Sequence, residues 1–348
     1  MADSVLIALS GGVDSTMTAH LLKEQGYEVT GVHFQFFDFP ALRVEELAGQ
    51  LGIRLIKYDA RALFHKEVVG YFANFYLEGM TPSPCVYCNP NIKWKLLLKL
   101  ANAENISCIS TGHYINIKRE KDLFRIYKGS DTSKDQSYYL WGLNQEVLSR
   151  AITPMGRIYK ATLTDALKNT VFRDLVNKKE STGLCFANGR NCSDILNDYL
   201  PGLYKRIGPG IIVNNRGERI GQHQGYVYYT IGQKQGLQLD TDKKLCVSKI
   251  DPERNILEVD TWESLYRTGF TVKDYYFHDI SELNGPDDIQ VKVRGFGLNP
   301  EGNCRIKLVN EKRVEVNLNY PAWAPAPGQP AVFYSGNKLI GGGIITSA

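Results

Sequence analysis

The sequence predicts an α/β fold, in which an N-terminal parallel-sheet domain is followed by a small central β-rich domain and a C-terminal β-barrel. Two observations predict it. Roughly the first 190 residues alternate short apolar runs with amphipathic helical patterns, as parallel sheets covered on both faces do. After about Pro201, glycine, proline and short alternating strands dominate, which is typical of small antiparallel sheets and barrels. We expect domains at residues 1–202, 203–262 and 263–348.

The N-terminal elements follow in order. Val5–Leu9 predicts a buried strand, and Asp14–Gln25 predicts a helix that Gly26 ends, because glycine readily adopts the left-handed conformation there. Tyr27–Phe34 predicts the second strand, "ALRVEELAGQLG" a helix and "RLIKYDA" the third strand. A long helix at Arg61–Glu78 and a fourth buried strand, "ISCIST", complete the pattern.

Strands joined by tight turns are predicted in the second half, with Trp262–Phe270 as the joint between two β units. The runs are "GIIVNNRGERIGQHQGYVYYTIG", "LCVSKIDPERNILEV", "IQVKVRGFGL", "CRIKLVNEKRVEVNL" and "PAVFYSGNKLIGGGIIT".

Composition excludes several classes of protein. Hydrophobic residues make up 43% and charged residues 22% of the 348, as in globular proteins. No apolar run approaches the roughly 20 residues of a membrane span, and the start "MADSVLIAL" lacks a basic flank. We therefore expect a cytoplasmic protein with no membrane partner. The net charge of +4 permits a nucleic-acid partner, and seven cysteines, an odd number, argue against a disulfide framework.

The run "LSGGVDS" (Leu9–Ser15) follows the first strand and opens the first helix. Its glycines let the backbone approach a ligand, and the helix N-terminus favours an anion. Ser10 and Ser15 add hydroxyl donors, and Asp14 can hold Mg²⁺. A plain strand-to-helix turn with Ser or Asp capping is the alternative. The Walker spacing and G-x-G-x-x-G are both absent. The run resembles the PP-loop of ATP pyrophosphatases, which implies ATP cleavage between the α- and β-phosphates.

Cys85 and Cys88 form a Cys-x-x-Cys pair in "TPSPCVYCN". A structural zinc site needs four ligands, and the chain has no second such pair. A thioredoxin-like pair should open a helix after a strand, whereas this one is predicted in a proline-rich loop. The remaining interpretation joins Cys88 to Cys185 of "ESTGLCF", whose small neighbours leave a thiol accessible.

The other four cysteines suggest no chemistry. Cys108, Cys246 and Cys304 lie in apolar strand patterns and are predicted core residues, while Cys192 is left without a role.

Eight runs, in order over nearly the whole chain, resemble the tRNA-specific 2-thiouridylase family, which thiolates the wobble uridine (U34) of certain tRNAs. They are "SGGVDS", "TPSPCVYCN", "TGHY", "KDQSYYLWGL", "ESTGLCF", "YYTIGQKQGL", "VKVR" and "PGQPAVFY".

The resemblance implies three groups of site residues. The ATP and Mg²⁺ site would be formed by Ala8, Leu9, Ser10, Gly11, Gly12, Val13, Asp14, Ser15, Phe34 and Gly112. The target base would lie against Ser83, Pro84 and Cys85. Further tRNA contacts would come from His113, Lys134, Asp135, Gln136, Arg294, Gly295 and Gln329.

The resemblance also implies the reaction. AMP is transferred to the C2 oxygen of the uridine, which turns a poor leaving group into a good one. A persulfide on Cys185 then attacks C2, and Cys88 closes a disulfide with Cys185 or helps to deliver the sulfur. The tRNA must present a flipped base. The expected partners are tRNAs with glutamate, glutamine and lysine acceptors, and a persulfide donor such as a cysteine desulfurase or a sulfur-relay protein.

Several positions depart from the family pattern. Cys85 stands where some members carry an aspartate with a general-base role, so Cys85, Cys88 and Cys185 could instead hold a [4Fe–4S] cluster with one open position. The segment after the second strand is shorter than is usual in the family, and this affects the contacts with the adenosine of ATP that are expected around Phe34. Lys234 replaces an arginine, which loses bidentate phosphate contact. In a loosely matching run, Lys160 keeps the charge of a tRNA-facing residue.

Two other functions stay open. A PP-loop synthetase acting on a small molecule would need neither Cys88 nor Cys185. A tRNA-binding protein without catalysis would be indifferent to Asp14→Ala, because no adenylation would occur.

Overall fold

The computed structural model describes residues 3–38, 43–167, 172–175, 183–239, 244–284, 288–295 and 297–347. Its strands are β1 (Ser4–Ala8), β2 (Glu28–Gln35), β3 (Arg54–Asp59), β4 (Cys108–Ser110), β5 (Ile115–Glu120), β6 (Leu123–Lys128), β7 (Ala151–Ile152), β8 (Gly210–Val213), β9 (Arg219–His223), β10 (Gln238–Leu239), β11 (Cys246–Asp251), β12 (Ile256–Asp260), β13 (Tyr266–Phe277), β14 (Ile289–Lys292), β15 (Cys304–Asn310), β16 (Arg313–Trp323), β17 (Pro330–Ser335) and β18 (Lys338–Ser347).

The helices belong mostly to the first 200 residues. They are α1 (Val13–Glu24), α2 (Val44–Leu51), α3 (Arg61–Phe64), α4 (Gly70–Leu77), α5 (Pro84–Cys88), α6 (Trp94–Ala103), α7 (Gln145–Arg150), α8 (Lys160–Leu167), α9 (Cys192–Tyr199) and α10 (Leu203–Ile207). In the part of the chain that the structure describes, no helix is long and apolar enough to cross a membrane.

The predicted fold class is confirmed. A five-stranded parallel sheet has the order β3-β2-β1-β4-β7, and its centre is apolar because Val5, Leu6 and Ile7 of β1 are fully buried. A second sheet, β10-β9-β8-β12-β11, is antiparallel except where β12 pairs with β8. The third, eight-stranded sheet contains β13 to β18 together with β5 and β6.

One hairpin was missed from the sequence. Strands β5 and β6 pair with each other, and Tyr127 of β6 pairs with Lys338 of β18. The buried Arg125 of β6 forms ion pairs with Asp279 and Glu282, each 3.3 Å long. The N-terminal part of the chain is therefore joined to the C-terminal sheet by backbone pairing and by charge.

The predicted helix Arg61–Glu78 is a continuous helical run that contains a π turn, His65–Val69, between α3 and α4. A second π turn, Asn89–Lys93, joins α5 to α6. Pro90 lies in this second turn, where it has no N–H to donate and its ring would clash with the carbonyl four residues earlier in a regular α-helix. Pro90 thus lies where the helical run departs from regular α-helix geometry.

Candidate active site

The predicted phosphate loop lies at the carboxyl end of β1. The Ser10 backbone N–H donates to Ser15 Oγ at 3.2 Å, and the two hydroxyls are 3.0 Å apart. Gly11 has a φ of 77°, which favours glycine. Gly12 is the N-cap of α1, and in the described chain no side chain caps this helix, so the Ser or Asp cap of the alternative interpretation is absent. The first-turn N–H groups are therefore available to bind an anion.

Gly112 holds the loop after β4 against the start of α1. A Cβ at this position would stand 2.8 Å from the Ser15 nitrogen and 2.9 Å from the Asp14 carbonyl carbon, which only glycine avoids. Two other predicted ATP residues are packed into the core: Leu9 is 1% and Phe34 is 6% exposed. Their side chains are turned away from solvent, so a nucleotide could meet these two residues only through the backbone.

The Asp14 carboxylate is already engaged. It accepts a hydrogen bond from the Tyr114 hydroxyl at 2.8 Å and forms an ion pair with Lys160, whose Nζ also lies 5.8 Å above the Tyr114 ring. Lys160, expected to face tRNA, thus lies at the phosphate loop. The Asp14 carboxylate fits Mg²⁺, which one or two carboxylates and phosphate oxygens commonly hold, if the ion displaces the Lys160 ammonium.

Cys85 and Cys88 lie in helix α5, not in the predicted loop; Pro84 occupies its first turn, where a missing N–H costs nothing. Cys88 is 8% exposed, and Cys85 is partly buried. Burial raises the pKa of Cys88 to about 11 and also raises the pKa of Cys85. Both cysteines are therefore thiols at neutral pH.

Cys185 lies in a turn before α9, and its side chain is exposed. The residues Glu180–Thr182 of its predicted loop are outside the described residues. Despite its exposure, Cys185 has its pKa raised to about 12, because the surrounding protein desolvates the thiolate and because Cys85 and, to a smaller extent, Cys88 add negative charge nearby. Cys85 and Cys88 on α5 are therefore close enough to Cys185 to interact with it electrostatically.

These three thiols do not fit an iron–sulfur cluster as they are placed. Within residues 3–38, 43–167, 172–175, 183–239, 244–284, 288–295 and 297–347, no group of three His, Cys, Asp or Glu side chains could hold a metal ion. A cluster would require three converging thiolates from Cys85, Cys88 and Cys185.

His113 links the phosphate loop to the thiols. It follows Gly112, its Nδ1 lies 2.7 Å from Thr111 Oγ1, and its ring stacks on Trp94 of α6 with 6.2 Å between centroids. Burial and the nearby Lys93 hold its pKa well below the ordinary value. His113 is therefore neutral, as a group that must donate or accept near a base requires.

Of the next residues predicted to contact tRNA, Asp135 and Gln136 mainly make contacts within the protein. The Asp135 carboxylate accepts from the backbone N–H groups of Gly129 and Ser137, both at 3.2 Å, and lies 3.6 Å from the Lys292 ammonium. Gln136 Oε1 accepts from the Tyr114 N–H at 2.9 Å. The side chain of Lys134 is partly exposed.

Residues of the C-terminal part of the chain lie next to α5, the helix that carries Cys85 and Cys88, which we call the thiol helix. Gln329 Nε2 donates to the carbonyls of Thr81 and Pro82 at 3.1 and 3.2 Å, directly before Ser83. A Cβ on Gly295 would stand 2.2 Å from the hydroxyl oxygen of Tyr139, whose pKa is raised to about 12 by burial and by Cys85. The barrel therefore forms one wall of the thiol site.

Two cationic side chains, Arg294 and Lys234, each lie against the indole ring of a tryptophan. Arg294 donates to the Ala324 carbonyl at 2.9 Å and lies 5.0 Å from the Trp323 ring. Trp323 stacks on Trp262 at 3.7 Å, and Lys234 Nζ lies 3.8 Å from the Trp262 ring. This four-residue stack links the two β units through the predicted joint.

Two residues that contact the site were missed from the sequence. Lys93 lowers the pKa of all three thiols, and Tyr139 was assigned to packing. Pro90 is the sequence feature that could have indicated Lys93, because a proline at this place predicts a distorted helix between the cysteines and the lysine.

Comparisons with known proteins agree with this architecture. Residues 3–189 match the model of a tRNA methyl transferase HUP domain, and residues 193–260 match that of a tRNA methyl transferase PRC-barrel domain. Residues 267–345 match the model of an aminomethyltransferase beta-barrel domain.

Named relatives match the chain over nearly its whole length. The tRNA-specific 2-thiouridylase MnmA 1 of Bacteroides fragilis (strain YCH46) is 37% identical over 354 residues, which covers 98% of this chain and 97% of that protein. The tRNA-specific 2-thiouridylase MnmA of Cytophaga hutchinsonii is 37% identical over 362 residues, with 99% and 97% covered. Among solved structures, a 4-thiouridine synthetase–RNA complex with bound ATP is similar with a TM-score of 0.36 and 16% identity, covering 57% of this chain and 51% of that one.

Proposed function

The chain belongs to the family of tRNA-specific 2-thiouridylases, and from that membership we propose how its site makes 2-thiouridine in tRNA. It is a tRNA sulfurtransferase that binds ATP. The observation that supports the mechanism is the contact of Gly112 with Ser15 and Asp14, because the next residue, His113, stacks on Trp94, which directly follows the π turn after α5. A cytoplasmic location is part of this proposal.

The first step is adenylation. The ATP phosphates bind at the N-terminus of α1, with Ser10 and Ser15 as hydroxyl donors and Lys160 as a nearby cation. Mg²⁺, when bound, would be held by Asp14 and would neutralise phosphate charge. The C2 oxygen of the uridine attacks the α-phosphorus, pyrophosphate leaves, and AMP becomes the leaving group at C2.

The second step is sulfur transfer. A persulfide donor gives its outer sulfur to the exposed Cys185. The outer sulfur of that persulfide attacks C2, and AMP departs with the electron pair of its C–O bond. The Cys88 thiolate then attacks the Cys185 sulfur, forming a Cys88–Cys185 disulfide while the S–S bond electrons complete the C2 thiocarbonyl. An external thiol reductant restores both cysteines with two electrons.

The tRNA substrate enters against the loop that precedes Cys85. The Gln329 contacts hold Thr81 and Pro82 in place, so Ser83, Pro84 and Cys85 form a rigid floor for a flipped base. Lys134 and His113 lie on the proposed path of the tRNA backbone. The proposed substrates are the tRNAs for glutamate, glutamine and lysine.

Methyl transfer, named in the matching family models, is a second candidate function. It would need neither a phosphate loop nor three thiols at one site, and the relatives carry the thiouridylase name. A synthetase for a small molecule would likewise have no use for Cys185.

The test is in vitro thiolation with ATP and unmodified tRNA, supplied either with a persulfide donor in air or with anaerobically reconstituted iron and sulfide. We expect 2-thiouridine in the first condition, and its loss in Cys88→Ser and Cys185→Ser but not in Cys192→Ser, a matched exposed cysteine. Product only in the second condition would overturn the persulfide mechanism. Product in neither condition would overturn the function. ATP turnover that survives both site substitutions without tRNA would favour the small-molecule synthetase.

A further inference from the structure

We propose that Tyr114 is a positioning residue of the phosphate loop, which orients the Asp14 carboxylate and links it to residues 131–136, so that tRNA bound at these residues favours the binding of ATP with Mg²⁺. The tRNA part of this inference rests on the proposed function. The effect of Tyr114 on ATP binding can be measured without tRNA.

Two donors meet on one oxygen of Asp14. The Tyr114 hydroxyl donates to Asp14 Oδ1 at 2.8 Å, and the Lys160 ammonium forms its ion pair with the same atom. A divalent cation competes with the ammonium for the carboxylate, whereas a neutral hydroxyl can stay bonded to it. Carboxylates that hold a metal ion are commonly fixed by such an outer hydrogen bond. Tyr114 is therefore the donor that orients Asp14 when Mg²⁺ replaces Lys160.

The ring of Tyr114 is fixed by packing. It is 2% exposed and belongs to the buried cluster that contains Val5 and Ile7 of β1 and Met17 of α1. The Asp14 side chain, by contrast, is 33% exposed. A buried ring keeps its hydroxyl in one place, so it can restrict a carboxylate that would otherwise have more rotational freedom.

The backbone of Tyr114 is held by Gln136 at both of its polar groups. Gln136 Oε1 accepts from the Tyr114 N–H at 2.9 Å, and the Gln136 backbone N–H donates to the Tyr114 carbonyl at 3.3 Å. Gly129 packs against the same carbonyl, because a Cβ there would stand 2.8 Å from the oxygen. The position of Tyr114 therefore depends on that of Gln136.

A second connection runs from the same residues to Asp14. Asp131 Oδ2 accepts from the Lys160 backbone N–H at 3.0 Å, and the Lys160 ammonium pairs with Asp14. The Asp131 carbonyl also accepts from the Lys134 N–H at 3.0 Å. Both connections start within residues 131–136 and end on one carboxylate, which pairs either with Lys160 or with Mg²⁺.

Gln136 offers a further donor to a ligand. Its side chain is partly exposed, and in the described part of the chain its Nε2 has no hydrogen-bond partner. An RNA oxygen or base acceptor at Nε2 would fix the amide and polarise it, which strengthens the bond that Oε1 accepts from Tyr114. Bound tRNA thus stabilises the arrangement in which Tyr114 orients Asp14.

The first experiment measures binding of α,β-methylene-ATP, whose α–β bridge cannot be cleaved, by calorimetry at several Mg²⁺ concentrations without tRNA. Tyr114→Phe keeps the ring and removes the hydroxyl, so we expect about tenfold weaker binding, with a smaller loss as Mg²⁺ is raised. Gln136→Leu should cause a similar loss, although a residue that only contacts tRNA would leave ATP binding unchanged. Tyr226→Phe is the matched control, since it removes a hydroxyl that donates to the Leu77 carbonyl at 2.7 Å, and it should match the parent.

The second experiment repeats these titrations with saturating unmodified tRNA. In the parent we expect tRNA to tighten binding of the analogue at least about fivefold, and Tyr114→Phe should lose most of this factor. Equal tightening in the parent and in Tyr114→Phe would overturn the coupling. Thermal unfolding shows whether each variant is folded.

Two further outcomes keep this inference apart from the proposed function. Parent-like affinities in folded Tyr114→Phe and Gln136→Leu, or losses that do not depend on Mg²⁺, would overturn the positioning role even if the parent thiolates tRNA. A Mg²⁺-dependent loss in Tyr114→Phe, with no thiolation of tRNA by the parent, would uphold the positioning role and remove the proposed function.

Discussion

The backbone of Gly112 lies against the backbone of Ser15, so close that a Cβ at residue 112 would be 2.8 Å from the Ser15 nitrogen. This contact joins the loop that carries His113 to the helix terminus where phosphate is proposed to bind. Because His113 also stacks on Trp94 of α6, the same loop connects the start of α1 with the helical run that contains α5.

Gly112→Ala is therefore expected to damage the phosphate site first. The methyl group must push the start of α1 away, so we expect ATP affinity, measured by isothermal titration calorimetry, to fall at least about tenfold. Gly49→Ala is the matched control, because a Cβ there meets nothing within 4 Å. Parent-like ATP affinity in Gly112→Ala would mean that this contact does not shape the nucleotide site.

The Lys160→Met substitution distinguishes whether Lys160 acts on the ATP phosphates or binds tRNA. Because Lys160 pairs with Asp14 at the phosphate loop, we expect slower tRNA-dependent pyrophosphate release, by about ten- to a hundredfold, with nearly unchanged tRNA affinity. Filter binding at several salt concentrations measures the latter. The exposed Lys99 on α6, changed to Met, serves as control. If Lys160→Met instead weakens tRNA binding and reduces its salt dependence, while pyrophosphate is released at the parent's rate, then Lys160 contacts tRNA and not the phosphates.

Gly295→Ala should disturb the wall between the barrel and the thiol helix. The new methyl group would overlap the Tyr139 hydroxyl, so we expect a loss of about 1–3 kcal/mol in the free energy of unfolding by urea, together with slower thiolation. Tyr139→Phe removes the overlapping oxygen and should restore part of both losses in the double variant. Additive effects of the two substitutions would show that these residues do not meet.

The buried thiols should make stability depend on pH in the alkaline range. Since the pKa of Cys88 is raised from its ordinary value near 9 to about 11, the unfolded chain loses its proton first and is favoured as pH rises. The contribution is fully present below about pH 9 and declines up to about pH 11, by roughly 2–3 kcal/mol. Cys88→Ala should flatten this part of the stability curve from urea unfolding. An equal slope in Cys88→Ala would show that this thiol is not desolvated.

Local patterns determined much of this protein. The apolar run of β1, the glycines after it and the start of α1 predicted a phosphate loop, because strand, turn and helix each follow from neighbours in the sequence. The same holds for the core positions of Cys246 and Cys304, which are 1% and 4% exposed.

Tertiary structure decided what those residues touch. The β5–β6 hairpin joins the C-terminal sheet, and Gln329 reaches Thr81 across 248 positions; no pattern within either segment announces such partners. Arg294 and Asp135 illustrate the same limit. The family resemblance implied tRNA contacts for both, whereas the fold surrounds them with carbonyls, N–H groups and an indole ring.

The thiol site shows the division most clearly. The sequence by itself determined that Cys88 and Cys185 were the reactive pair to consider, since the family motifs carry both. Only the folded chain decided that Cys85 and Cys88 on α5 interact electrostatically with Cys185 before α9, and that a π turn follows α5. The physical reason is that electrostatic effects depend on distance through space, and that distance is set by a helix distortion and by packing between distant segments.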